Sequence, residues 1–253
     1  VVGFGKAIAL AFMKASKRDD LSGSKHIIVV SSISDFDATV AETRYFWSWF
    51  IFGSIMAIET RRHLWQSWGF CPRHAWLHAV VECEIWGGRP FATSILYQDL
   101  IERAARVVDT GRVCGILAAR RLRPQATCLV CDYLAIAKDV SADESNTRRC
   151  ARVNLRSRVM VLIAQSEPSW RLNSCDLCGG AGKVVCRLHL LAGDGRLDRA
   201  LAAYLCDLER RLGLLIRSMT WRGPQATPEI QASWVEALGW FAGWSFPLAV
   251  VSA

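Results

Sequence analysis

Eight side chains of this 253-residue chain fall into four close pairs, Cys71/His74, Cys128/Cys131, Cys175/Cys178 and Cys186/His189, each with two residues between its members. Thiolate and imidazole are ligands that zinc favours, and this gap lets both members reach one ion from a turn or from the first turn of a helix. One pair supplies half of a tetrahedral shell. Four pairs therefore supply two closed sites, about two ions per chain, with no position left for a substrate; such sites are structural. A disulfide framework gives no reason for Cys to pair with His at a fixed gap. The ten cysteines thus point to metal and to a reducing compartment, the cytoplasm.

Two groupings satisfy the ligand count. Sequence proximity joins Cys175, Cys178, Cys186 and His189 across a Gly-rich loop and leaves Cys71 and His74 to meet Cys128 and Cys131. An internal duplication, described below, would instead join Cys128 and Cys131 to Cys186 and His189. Proximity is the preferred reading. The two His favour zinc over an iron-sulfur cluster, which needs mostly Cys. Neither Cys-x-x-Cys sits in a thioredoxin-like strand and helix, which argues against a redox pair. Cys83, Cys114, Cys150 and Cys206 have no partner at ligand spacing and read as core thiols, while His26, His63 and His78 read as surface or core residues.

The elements that must carry these ligands read as helices. Apolar residues recur at three- and four-residue spacing through long Ala-, Leu-, Arg- and Glu-rich stretches, best in residues 97–108 and 197–219. Residues 26–31, HIIVVS, fit a short strand but are too little for a sheet. Breakers at Gly87-Gly88-Arg89-Pro90, Arg123-Pro124, residues 141–146, residues 179–182 and Gly223-Pro224 divide the chain into helical blocks. The expected fold is an all-α helical bundle with zinc-binding knuckles.

Segments on either side of Pro124 can be laid over each other, in order, at three places. Ser31 and Ser34 with Asp35-Phe36 match Cys128 and Cys131 with Asp132-Tyr133; Cys71/His74 matches Cys186/His189; Tyr97 with Glu102-Arg103 matches Tyr204 with Glu209-Arg210. This order suggests an internal duplication whose first copy carries Ser where the second carries Cys. The division that follows is an N-terminal segment (1–30), a first helical repeat (31–124) and a second (125–253).

An excess of 31 Lys and Arg over 23 Asp and Glu gives a net charge of +8. That field suits an acidic protein, a nucleic acid or an anionic surface without choosing among them. Arg120, Arg121 and Arg123 form one group, and Arg148, Arg149, Arg152, Arg156 and Arg158 another, the latter at spacing that lines a helix face. The most apolar run, residues 45–58 (YFWSWFIFGSIMAI), is shorter than a bilayer span of ~20 residues and reads as a buried helix, so membrane contact is not expected. The opening residues lack the charged, apolar and small-residue order of a secretory signal.

Residues 64–82, LWQSWGFCPRHAWLHAVVE, resemble the GFCxxH signature of an uncharacterised bacterial family of duplicated helical proteins that carry a CxxC followed by a CxxH in each copy. Cys186-Arg187-Leu188-His189 resembles that family's second CxxH, and the likeness spans residue 31 to near the C-terminus. The Ser31/Ser34 pair and the extra Cys175/Cys178 pair depart from the pattern. The resemblance implies a duplicated helical fold and no known activity. Cys71-Pro72-Arg73-His74 with the neighbouring pairs is also similar to the zinc modules of TniQ-type transposition proteins, which implies nucleic-acid binding. Gly3-Phe4-Gly5-Lys6 looks like a dehydrogenase cofactor turn, but the chain has no Tyr-x-x-x-Lys pair to go with it. The reading that results is a non-enzymatic, zinc-stabilised helical module with a protein partner, the alternative being a nucleic-acid-binding protein of the TniQ-like type.

Overall fold

The computed structural model of the chain describes residues 38–110, 115–136, 157–193 and 197–252. The strand candidate at 26–31, Ser31/Ser34, His26, Cys114, Cys150, residues 141–146 and the arginines from Arg148 to Arg156 lie outside them. The described residues are all-helical, with no strand among them. In chain order the helices are α1 (Val40–Arg44), a π-helix (Tyr45–Ser54), α2 (Ile58–Ser67), α3 (Pro72–Ile85), α4 (Phe91–Thr110), α5 (Gly115–Leu122), α6 (Leu129–Ile136), α7 (Ser157–Gln165), α8 (Glu167–Trp170), α9 (Arg187–Ala192), α10 (Arg199–Ser218), α11 (Pro228–Ala242) and α12 (Ser245–Ser252).

The two stretches with the clearest helical period become α4 and α10, which pack along each other. Leu201, Leu205, Leu208, Leu212 and Leu215 form the buried stripe of α10, and Asp198 starts the helix by accepting a hydrogen bond from the Leu201 backbone N–H at 2.8 Å. Cys206 lies one residue past that stripe and is exposed, so it is a surface thiol and not the core thiol its lack of a ligand partner suggested. Cys83 and His78 are both fully buried.

Helix α11 runs through the centre, against α3, α4, α8, α9 and α10, and residues 232–242 are all buried. A helix buried on every side must satisfy any polar group it carries. Glu236 is satisfied by Arg211, whose Nη1 and Nη2 donate at 2.6 and 2.8 Å, by the Tyr204 hydroxyl at 3.1 Å and by Asn173 Nδ2 at 3.0 Å. Gly239 admits the Trp244 ring, since a Cβ there would collide with the indole. The apolar core is continuous across Pro124, because α4 lies on α10 and α11 touches both α3 and α4.

The apolar run at 45–58 is half-buried. Tyr45, Phe46 and Phe50 pack inward, while Trp47, Phe52, Met56 and Ile58 are exposed. Among the described residues no helix is long and apolar enough to cross a membrane.

A second buried carboxylate fixes the turn between α3 and α4. Glu82 accepts the backbone N–H of Ala92 and Thr93, the orphan donors of the α4 N-terminus, and the Thr93 hydroxyl at 2.6 Å. Thr93 Oγ1 in turn lies 3.2 Å from His78 Nδ1. His78 packs against the rings of Phe46, Phe50 and Phe70, and burial pushes its imidazole down to about 3, so it is neutral. Burial raises the Glu82 carboxyl from its ordinary 4.5 to about 7 against the pull of those hydrogen bonds. Between these values the folded chain holds a proton that the unfolded chain has lost. The contribution is therefore full below pH 4.5 and is lost as pH rises through 7. Denaturant melts at pH 5 and pH 8 should show Glu82→Gln losing about 2–3 kcal/mol less stability over that interval than the parent chain.

Candidate metal centre

Three of the four ligand pairs sit at helix starts. Cys71 is the N-cap of α3 with Pro72 as its first helical residue, and His74 falls in the first turn. Cys186 is the N-cap of α9 with His189 in the first turn, and its backbone angles (φ −73°, ψ 160°) nearly repeat those of Cys71 (φ −63°, ψ 164°). Cys128 precedes α6, its carbonyl accepts the Asp132 N–H at 3.0 Å, and Cys131 lies within the first turn. The partial positive charge at each helix N-terminus favours thiolate there. Cys175 and Cys178 instead bracket a 3-10 turn (Asp176–Cys178), in which the Cys178 and Gly180 N–H groups donate to the Cys175 carbonyl.

That last turn lies against the chain just before it. A Cβ on Gly180 would strike the Ser174 side chain, and one on Gly182 would strike the carbonyls of Leu172 and Ser174. Only glycine allows this approach. It brings the 179–182 loop under Ser174, whose hydroxyl oxygen accepts the Ala181 N–H at 3.0 Å.

Two clusters result, and both follow sequence proximity. Cys71, His74, Cys128 and Cys131 form the first, and Cys175, Cys178, Cys186 and His189 the second, with the ligand atoms of each within 4.8 Å of one another. In the first, His74 Nδ1 lies 3.2, 3.5 and 3.4 Å from the sulfurs of Cys71, Cys128 and Cys131, and the Cys71 and Cys131 sulfurs are 3.9 Å apart. In the second, His189 Nδ1 lies 3.5, 3.5 and 3.3 Å from Cys175, Cys178 and Cys186, and the Cys178 and Cys186 sulfurs are 3.7 Å apart. A tetrahedron with zinc-sulfur bonds of about 2.3 Å and zinc-nitrogen bonds of about 2.0–2.1 Å has edges of ~3.8 Å (S···S) and ~3.5 Å (S···N). Both clusters match those edges, and all four of their Cys-x-x pairs take part. The described cysteines are free thiols.

The electrostatics favour thiolate. Hydrogen bonds from Cys131 and Cys71 hold Cys128 far below the usual thiol range, and those from Cys178 and Cys186 do the same for Cys175. The donors Cys71 and Cys186 are pushed up in return.

Two residues outside the Cys/His pairs complete the centre. Glu42, in α1, is buried and lies 3.0 Å from His74 Nε2, so the imidazole directs Nδ1 at the sulfurs and donates its other N–H to a carboxylate. The same carboxylate accepts Arg73 Nε and Nη2, both at 2.9 Å, and the Thr39 N–H at 2.7 Å. Burial opposes its ionisation, but the bonds from His74, Arg73 and Thr39 hold the carboxyl well below the usual range. Among the described residues no carboxylate approaches His189, which is half-buried. The second residue is Arg187, between the two ligands of its own pair. Its guanidinium is buried and donates to the carbonyls of Leu122 at 3.0 Å and Phe241 at 3.3 Å, with no acidic partner among the described residues. Burial lowers it from its ordinary 12.5 to about 10, and the guanidinium stays charged at neutral pH.

The Thr39-x-x-Glu42 capping box was a legible helix-start signal, but nothing local says that its Glu reaches residue 74. Arg187 had no signal beyond its place between two ligands. No family model, curated protein or solved structure matches the chain.

The carboxylate on His74 distinguishes the two clusters. Glu42→Ala should weaken cobalt(II) binding at one of two sites by about 10- to 100-fold and leave the other unchanged, as read from thiolate-to-metal charge transfer in a titration of the metal-free chain.

Proposed function

We propose that this chain is a non-enzymatic helical scaffold whose fold is held by two structural zinc ions and which docks a protein partner. The observation that carries the reading is the pair of complete Cys3His sets, each with four protein donors close enough to fill the tetrahedral shell of one zinc ion. Soft thiolates with one imidazole favour zinc over calcium or magnesium, which take oxygen ligands.

The first set joins α3 to α6 and, through Glu42, to α1; the second joins α9 to the turn after α8. Metal would thus fasten the short helices α1 and α6 to α3, and the short helix α9 to the turn at Asp176–Cys178. The exposed aromatic residues support the docking role. Trp47, Phe52 and Trp86 form a continuous run of ring contacts at 6.3 and 5.8 Å, and Met56 and Ile58 are exposed nearby in sequence. An apolar surface of this kind is typical of an interaction face.

Elemental analysis of the purified chain should find about two zinc ions per molecule, and chelation should reduce helicity and the melting temperature together. A chain that carries no metal, or that keeps its helicity unchanged once stripped, overturns the reading.

A further inference from the structure

A cleft of about 460 Å³ lies between α2, α4 and the segment that leaves α5, away from either Cys/His cluster in its lining. Its walls carry four arginines, Arg62 from α2, Arg103 and Arg106 from α4, and Arg121 from the last turn of α5, and no acidic residue. Asp99, nearby on α4, is already engaged by Arg61 at 2.9 Å and by the Trp65 indole N–H at 2.6 Å. Glu102 pairs with Arg106. Arg62, Arg103 and Arg121 have no ion-pair partner among the described residues. The Arg103 guanidinium lies 4.6 Å over the Trp65 ring, and its Nε is shielded from solvent with no hydrogen-bond acceptor. Three uncompensated guanidiniums facing one cleft repel each other, and an anion is what relieves that repulsion.

The walls are held in place by the body of the protein. Trp65 is tied to Asp99, the Gln125 N–H donates to the Gln66 carbonyl at 2.7 Å, and the Trp68 indole donates to the Arg121 carbonyl at 2.9 Å. The cleft is therefore preformed. Its chemistry combines phosphate-binding forks, a Trp–Arg stack with π-faces for a flat ring, and the side-chain amides of Gln66 and Gln125 for a polar ring edge. The volume falls within the ~300–1,000 Å³ of pockets that enclose a small ligand, which suits one nucleotide. Arg120 and Arg123, both exposed, flank Arg121 and extend the basic surface beyond the cleft, as a continuing sugar-phosphate strand requires and a lone nucleotide does not. A base inside a duplex has its faces stacked and its pairing edge occupied, so an unpaired base is the better match to such walls.

We propose that this cleft is a binding site for single-stranded nucleic acid, taking one unpaired nucleotide with its phosphates on the arginines and its base beside Trp65 and Arg103. The site is independent of the metal reading.

The test uses the full, metal-replete chain and a fluorescein-labelled 20-mer of deoxythymidine or of uridine, followed by fluorescence anisotropy. Binding should weaken with salt at a log-log slope of about −2, from ~0.7 per neutralised phosphate over the three arginines without an ion-pair partner. Arg62→Glu with Arg121→Glu, both at exposed positions, should weaken binding at least about tenfold. Arg199→Glu with Arg210→Glu makes the same charge change on α10 and should weaken it far less. Circular dichroism and metal content identify any variant that misfolds, in which case Arg62→Ala with Arg121→Ala takes its place. Absence of binding at 50 mM salt, equal losses in the two double variants, tighter binding of a duplex, or displacement of the 20-mer by a mononucleotide at comparable affinity would each overturn the proposal.

Discussion

A buried guanidinium with no carboxylate to answer it among the described residues is the constraint around which the centre of this molecule is arranged. Arg187 reaches the carbonyl of Leu122, at the end of α5, and that of Phe241, near the end of α11, from the first turn of α9. Two neutral carbonyls do not balance a full charge out of water, and the idealised cost of leaving it unbalanced is many kcal/mol. Negative charge has to come from elsewhere, and Arg187 stands in sequence between two residues of the second Cys/His cluster. A Cys3His set around a divalent ion carries a net charge of −1, whereas a Cys2His2 set would be neutral. Metal at the second cluster would therefore place negative charge on Cys186, the residue before Arg187.

The other buried charges obey the same rule by different means. Glu236 is answered by Arg211 and two neutral donors, Glu42 by Arg73 and His74, and Glu82 by helix N–H groups together with a tendency to keep its proton. Each of these networks ties one helix to another, neighbouring in sequence at Glu82 and farther apart at Glu42, and the polar interior helps specify which helices meet. The aromatic residues then fill what the networks leave, as where Trp244 lies over Gly239 and stacks on Trp170 at 5.7 Å.

Much of this was legible in the chain before folding. The period of α4 and α10, the breaker at Arg123-Pro124 and the four ligand pairs are local signals, and local signals survive without tertiary context. The grouping of the ligands was also readable, because the Gly-rich loop brings Cys175 and Cys178 within a few residues of Cys186 and His189. Cys206 was misread for want of phase: its exposure follows from a position one step past Leu205 on the α10 stripe, which only the whole helix reveals. Glu42 and Arg187 were silent because their partners lie 32 and 65 residues away. The basic cleft was silent for the same reason, since its arginines come from three helices whose meeting no spacing encodes.

The two clusters differ in one further respect, the length of chain that each closes. The second spans 8 to 14 residues between its partners, and the first 54 to 60. Closing the longer loop costs about 1.5 kcal/mol more in chain entropy, and it also requires α3, α6 and α1 to have found one another. The second cluster can therefore assemble early and locally, as a nucleus around the turn at Gly180 and Gly182. The first is a latch set last, once the distant parts of the chain have arrived.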